Sequence, residues 1–203
     1  QHRFYLVFLS LISTLCFWLA WPPHLCAPFL FVAFIPLLMM ERHITEQGNP
    51  KSSWVFYKHA YLMLFLWNLT TTWWVADPAL AGAIFMFLAN PLCMSLPLVL
   101  FYFTNKHLGR GAGYLSLIAY WVSMEYTHLQ WELSFPWLNL GNGFARWPAW
   151  IQWYEYTGAL GGTVWILVAN MFIYQSCLSR VKLQRNRWGT MAALWILLPV
   201  LYS

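Results

Sequence analysis

Charge is what this sequence has least of. Charged residues make up 8% of its 203 positions, against about 25% in a typical soluble domain. That is too little to coat a water-facing globule, and a hydrophobic content of 61% excludes a disordered chain as well. Cysteine is sparse: Cys16, Cys26, Cys93 and Cys177 show no CxxC spacing, so neither a disulfide framework nor a zinc site follows. Cys26 is the one cysteine in a polar-flanked turn, and no role as a nucleophile is assigned to it. No apolar run alternates with period two, which argues against a membrane β-barrel. The first apolar run is followed by Trp21-Pro22-Pro23 instead of a small-x-small cleavage site, so it reads as a retained helix and not a signal peptide. The sequence begins with Gln1, and its last apolar run, 188–203, is shorter than the ~20 residues of a membrane span. The expectation is a piece of a longer chain.

What is present is a succession of apolar runs, at about 4–21, 28–40, 54–75, 80–104, 111–129, 161–179 and 188–203. They predict an all-α integral membrane protein with about seven transmembrane helices. The second run is short and holds Pro36, so a tilted or broken helix is expected there. With the N-terminus in the cytoplasm, Arg3, Arg42, Lys51, Lys58, Lys106, Arg110, Arg180, Lys182, Arg185 and Arg187 all fall on the inner side, and only Arg146 on the outer. That asymmetry is the positive-inside pattern, and it accounts for the net charge of +5 without nucleic acid as a partner. It also puts the last residues on the outer side.

One long outer loop is expected, 130–160, with Trp131, Trp137, Trp147, Trp150 and Trp153. Pro136 and Pro148 interrupt helix, while Gly141 and Gly143 permit tight backbone. A loop so aromatic belongs at the headgroup level of a bilayer, where amphipathic rings sit. Five tryptophans exceed what anchoring requires, which points to a groove for a lipid chain or headgroup.

Three constellations could carry function. Glu125 lies in an apolar run, where an ionisable group is costly, and His128 shares its helix face. Two structural readings are open for this pair: a Glu–His contact, or a carboxylate capping the backbone of the following loop. The functional reading is a carboxylate that positions a lipid headgroup or the loop. Glu125-x-x-His128 is also half of a di-metal pattern, but no second ExxH exists, so no metal or other cofactor is expected. Phe135-Pro136-Trp137 with Leu140-Gly141-Asn142-Gly143 is the second constellation. The third is Asn68 with Thr70, Thr71 and Thr72, suited to helix–helix hydrogen bonding or to a polar substrate path.

In order, Trp21-Pro22-Pro23, Ile35-Pro36-Leu37-Leu38, Trp67-Asn68, Trp73-Trp74, Trp121, Glu125, FPWLNLG from Phe135 and EYTGALGG from Glu155 resemble the membrane domain of bacterial apolipoprotein N-acyltransferases. The resemblance covers nearly the whole chain. It implies an inner-membrane enzyme that takes an acyl chain from a phospholipid, forms a thioester on a cysteine, and transfers the acyl group to the α-amine of a lipoprotein's diacylglyceryl-cysteine. The Glu-Lys-Cys triad of the family belongs to a nitrilase-like domain that has no counterpart in these residues, so no catalytic residue is assigned. By the resemblance, Trp137 and Glu125 match positions near the active site. His128 stands where many members have arginine. The expected lipid-binding set is Trp137, Glu125, His128, Phe135 and Asn142. A small transporter and a non-catalytic membrane scaffold are the other function classes open to such a sequence.

Overall fold

The computed structural model describes residues 2–203 apart from positions 25, 49, 79 and 133, and of His2 only the backbone. Gln1 lies outside them. Seven α-helices dominate the described residues: α1 His2–Ala20, α2 Ile35–Glu46, α3 Ser52–Thr72, α4 Leu80–Leu108, α5 Arg110–His128, α6 Tyr154–Leu178 and α7 Lys182–Tyr202. Short 3₁₀ turns lie at Ala27–Phe31, Trp73–Ala76, Pro136–Leu138, Leu140–Phe144 and Pro148–Trp150. Helix makes up 84% and no strand occurs among the described residues. The helices run to and fro, so the connections gather at two ends of the bundle. One end is basic; the other carries the aromatic segment 129–153.

Among the described residues, four stretches are long and apolar enough to cross a membrane: Arg3–Ala20, Ala27–Glu46, Leu80–Leu108 and Tyr154–Leu178. Helices α3, α5 and α7 have 21, 19 and 21 residues, but polar residues dilute them. In α7 the first turns carry Lys182, Arg185 and Arg187. The outer faces are apolar where a soluble protein would be charged; Leu115, Leu183 and Leu201 are more than 70% exposed. Such faces suit hydrocarbon as the surrounding medium, and the architecture is that of a membrane protein.

The second apolar run is broken. Its 3₁₀ turn ends at Phe31, and α2 starts at Ile35 with Pro36 in its first turn, where a missing N–H leaves nothing unpaired. The break would orphan backbone groups, and α6 supplies their partners. Asn170 accepts from Phe34 N at 2.8 Å and donates to Leu30 O at 2.7 Å; Tyr174 donates to Leu38 O at 3.1 Å. From α1, Ser13 donates to Ala33 O. Side chains of neighbouring helices re-satisfy freed backbone, as a broken membrane helix requires.

Aromatic rings fill the centre. Phe17 stacks on Trp67 at 4.2 Å and meets Phe34 edge-on at 5.1 Å, and Phe34 meets Trp121 edge-on at 5.0 Å. This chain of rings joins α1, α2, α3 and α5, so the core is specified by ring geometry as well as by buried area. Helix α6 begins at Tyr154, inside the stretch expected to be loop. Gly158, at φ +64° and ψ −175°, kinks it after one turn, in a region of backbone space essentially confined to glycine. Reciprocal indole–carbonyl bonds between Trp165 and Trp195, at 2.9 and 3.0 Å, hold α7 on α6.

Candidate functional site

The segment after α5 folds as three successive 3₁₀ turns, because Pro136 and Pro148 each open a turn and stop a longer helix. Its buried side is fastened by Glu125, which is 1% exposed. Trp121 Nε1 and the Leu140 backbone N–H donate to Oε1 at 3.0 and 2.8 Å, and Thr163 donates to Oε2 at 2.5 Å. Gly141 N–H reaches Thr163 Oγ1 at 3.3 Å, and Tyr154 OH donates to Gly141 O at 3.2 Å. One carboxylate thus ties α5, the loop and α6 together. Gly141 packs directly on α6; a Cβ there would overlap the Ala159 carbonyl oxygen. Of the readings open for Glu125, the geometry supports the carboxylate that caps the following loop: none of its hydrogen bonds above goes to His128.

The other side of the loop is open. Trp137 is 58% exposed and meets Trp74 edge-to-face at 5.4 Å. Trp21 Nε1 donates to Trp137 O at 3.2 Å, and Asn142 Nδ2 donates to Pro136 O at 2.9 Å, fixing the turn that presents the indole. These groups enclose a groove of about 690 Å³ between the ends of α1 and α3 and the loop. Its walls are Trp21, Pro22, Pro23, Trp73, Trp74 and Trp137, with Thr71, Thr72, Asn142 and Arg146 as polar points. A groove of that volume, mostly apolar with a few polar groups, is the usual form of a small-molecule site.

The five expected residues therefore do not form one site. Trp137 and Asn142 share the groove. Glu125, His128 and Phe135 border a crevice of about 10 Å³, too small for a ligand. His128 also lines a separate groove between α4 and α5. Asn68 accepts from Asn90 of α4 at 2.6 Å, while Thr71 and Thr72 bond back to carbonyls of their own helix; the cluster joins helices, and Thr71 and Thr72 edge the groove. Arg146 and Trp74 are groove residues that the expected set lacks. Arg146 carried a signal, as the lone basic residue assigned to the outer side. Trp74 carried none beyond its place in a Trp73-Trp74 pair.

The chain is 28% identical over 200 residues to an apolipoprotein N-acyltransferase of Chlorobaculum tepidum, a match that takes in 97% of this chain and 36% of that protein. It thus spans about a third of the relative's length. No solved structure matches the chain. Residues 13–172 match the family described as the apolipoprotein N-acyltransferase N-terminal domain, and the chain belongs to that family.

Proposed function

We propose that these residues are the membrane domain, 1–203, of an apolipoprotein N-acyltransferase, and that the Trp137 groove receives the phospholipid acyl donor. In this reading all seven helices cross the bacterial inner membrane, at the spans the apolar runs mark. The basic end faces the cytoplasm and the aromatic end, with its outer loop, the periplasm. The acceptor is a diacylglyceryl lipoprotein. Bond making belongs to a nitrilase-like portion of the polypeptide, as suits a match confined to 36% of the relative. These residues supply the platform.

One observation carries the reading. The groove is walled by aromatic rings, lies at the end of α1, a helix fit to cross a bilayer, and has Arg146 as the charged residue of its described lining. Ring walls accept an acyl chain, and a guanidinium suits a phosphate. Holding a lipid at the membrane surface brings its ester to a nucleophile there, which is the positional share of catalysis. Glu125 acts at one remove: by clamping Leu140 and Thr163 it sets the turn that carries Trp137 and Asn142. Asn68 is bonded to Asn90 of α4, which supports a helix-joining role for that cluster over a transporter's polar path.

The test is acyl transfer by the intact protein, read by mass spectrometry of a reporter lipoprotein's N-terminus. Trp137→Ala should lower the triacylated fraction while membrane insertion persists. Triacylation at the wild-type rate would remove Trp137 from the site, and the groove with it.

A further inference from the structure

The last turn of α5 carries an anomaly that the Trp137 groove does not absorb. His128 is 4% exposed, and neither ring nitrogen has a hydrogen-bond partner among the described residues. The indole N–H of Trp131 is buried and equally unpartnered there. The two rings meet edge-to-face at 5.2 Å, so their polar atoms belong to one locality. Buried polar atoms of native proteins nearly always have a partner, and in hydrocarbon an unpaired N–H is costlier still.

Both side chains line a groove of about 370 Å³ between α4 and α5. It shares no lining residue with the Trp137 groove. From His128 to Tyr120 it follows about two turns of α5, or about 12 Å, past Leu96, Leu100 and Met124. Two of the three hydroxyls in its described lining are engaged: Thr127 bonds to Ser123 O at 2.9 Å, and Tyr120 to Thr104 at 3.4 Å. A trapped water would need two to four polar partners, and Ser123, more than a turn of α5 before His128, is the lining hydroxyl left for it. Lys and Arg are absent from the described lining, so a phosphate has no counter-charge. An uncharged acceptor at the end of an apolar chain fits both halves of the groove.

We propose that the α4–α5 groove is a second lipid site: it holds one acyl chain of a bilayer glycerophospholipid, whose ester carbonyl accepts from Trp131 Nε1 and from the N–H of His128. A neutral imidazole has one such N–H. The end of α5, where the chain enters its tryptophan-rich segment, is at interfacial depth, which is also where phospholipid esters lie. Occupancy would brace the start of the loop beside its Glu125 fastening. The inference is independent of acyl transfer.

Photolabelling tests it. The protein, in nanodiscs, is exposed to a phosphatidylcholine with a diazirine in one acyl chain. Unlabelled diester or diether phosphatidylcholine of equal chain length competes. The label should fall on α4 and α5 peptides, with the diester competing about fivefold better, the effect of one net hydrogen bond. Trp131→Phe should shrink that preference, since the His128 N–H remains. Trp137→Ala, outside this groove, should leave label and preference in place. Leu100→Trp, which fills the groove from its far end, should exclude the label even if Trp131→Phe folds poorly. Equal competition by the two lipids would mean that the ester is not read. Absence of label from α4 and α5, or displacement by a diacylglyceryl lipopeptide in preference to phospholipid, would overturn the assignment.

Discussion

Leu140 and Asn142 are two residues apart, and they belong to different regimes. Leu140 is fully buried, with its N–H on the Glu125 carboxylate. Asn142 is exposed and serves a groove. The same division runs along the loop: Leu138, Gly141 and Phe144 face the bundle, whereas Trp137 and Arg146 face outward. The inward face is saturated with hydrogen bonds and close contacts. The outward face exposes aromatic area around an open groove. The lesson is that the candidate site depends on a rigid back. A half-exposed indole is a defined wall only because Glu125, Thr163 and Gly141 leave the backbone behind it no freedom.

That division can be broken from either face, and the inward face should give the larger effects. Glu125→Ala leaves three buried donors unpaired, each costing about 1–3 kcal/mol. A loss of about 3–5 kcal/mol is expected after partial relaxation, measurable as a lowered melting temperature in detergent. Glu125→Gln keeps an acceptor oxygen and should cost about 1–2 kcal/mol. Should Glu125→Ala melt like the wild type, the fastening is not structural.

Gly141→Ala comes next. Its Cβ would meet backbone, not a movable side chain, so the loop must lift from α6. About 3 kcal/mol is expected, the upper part of the range for overpacking. Proteolysis should then cut within 130–153 before any helix.

Trp137→Ala reverses the pattern. An indole that is 58% exposed returns little stability, and about 1 kcal/mol or less should be lost. Acyl transfer by the intact protein should nonetheless fall about tenfold, the rate equivalent of 1.4 kcal/mol in barrier. Equal losses in both quantities would erase the distinction between the faces. The smallest effect is expected from Arg146→Gln. Stability should be unchanged, and transfer should weaken a few-fold at low salt and less at high salt, since exposed charge is screened.

Much of this was legible beforehand. The apolar runs marked the helices, and Pro36 with its neighbours marked the broken one, because chain-local preferences decide those features. The loop's tryptophans pointed to the end of the molecule where the Trp137 groove lies. What the residues could not give was their grouping. Glu125 and His128 share a helix face at i and i+3, but the partners of Glu125 stand 15 and 38 positions away at Leu140 and Thr163. The start of α6 at Tyr154 escaped for a similar reason. One helical turn ahead of a glycine kink looks like loop, and tertiary contacts such as the Tyr154–Gly141 hydrogen bond hold it.

The sequence by itself determined that the chain is helical, apolar on its outside and asymmetric in charge. Those properties follow from composition and spacing, which the surrounding medium reads directly. It also determined the family, through motifs along most of its length. The tertiary structure alone decided that Trp137 and Asn142 go to a groove, Glu125 to a fastening, His128 to a second groove and Phe135 to a small crevice. Hydrogen-bond partners and groove walls come from segments far apart in the chain. Which of them meet is fixed by how the helices pack, a property that no local run of residues contains.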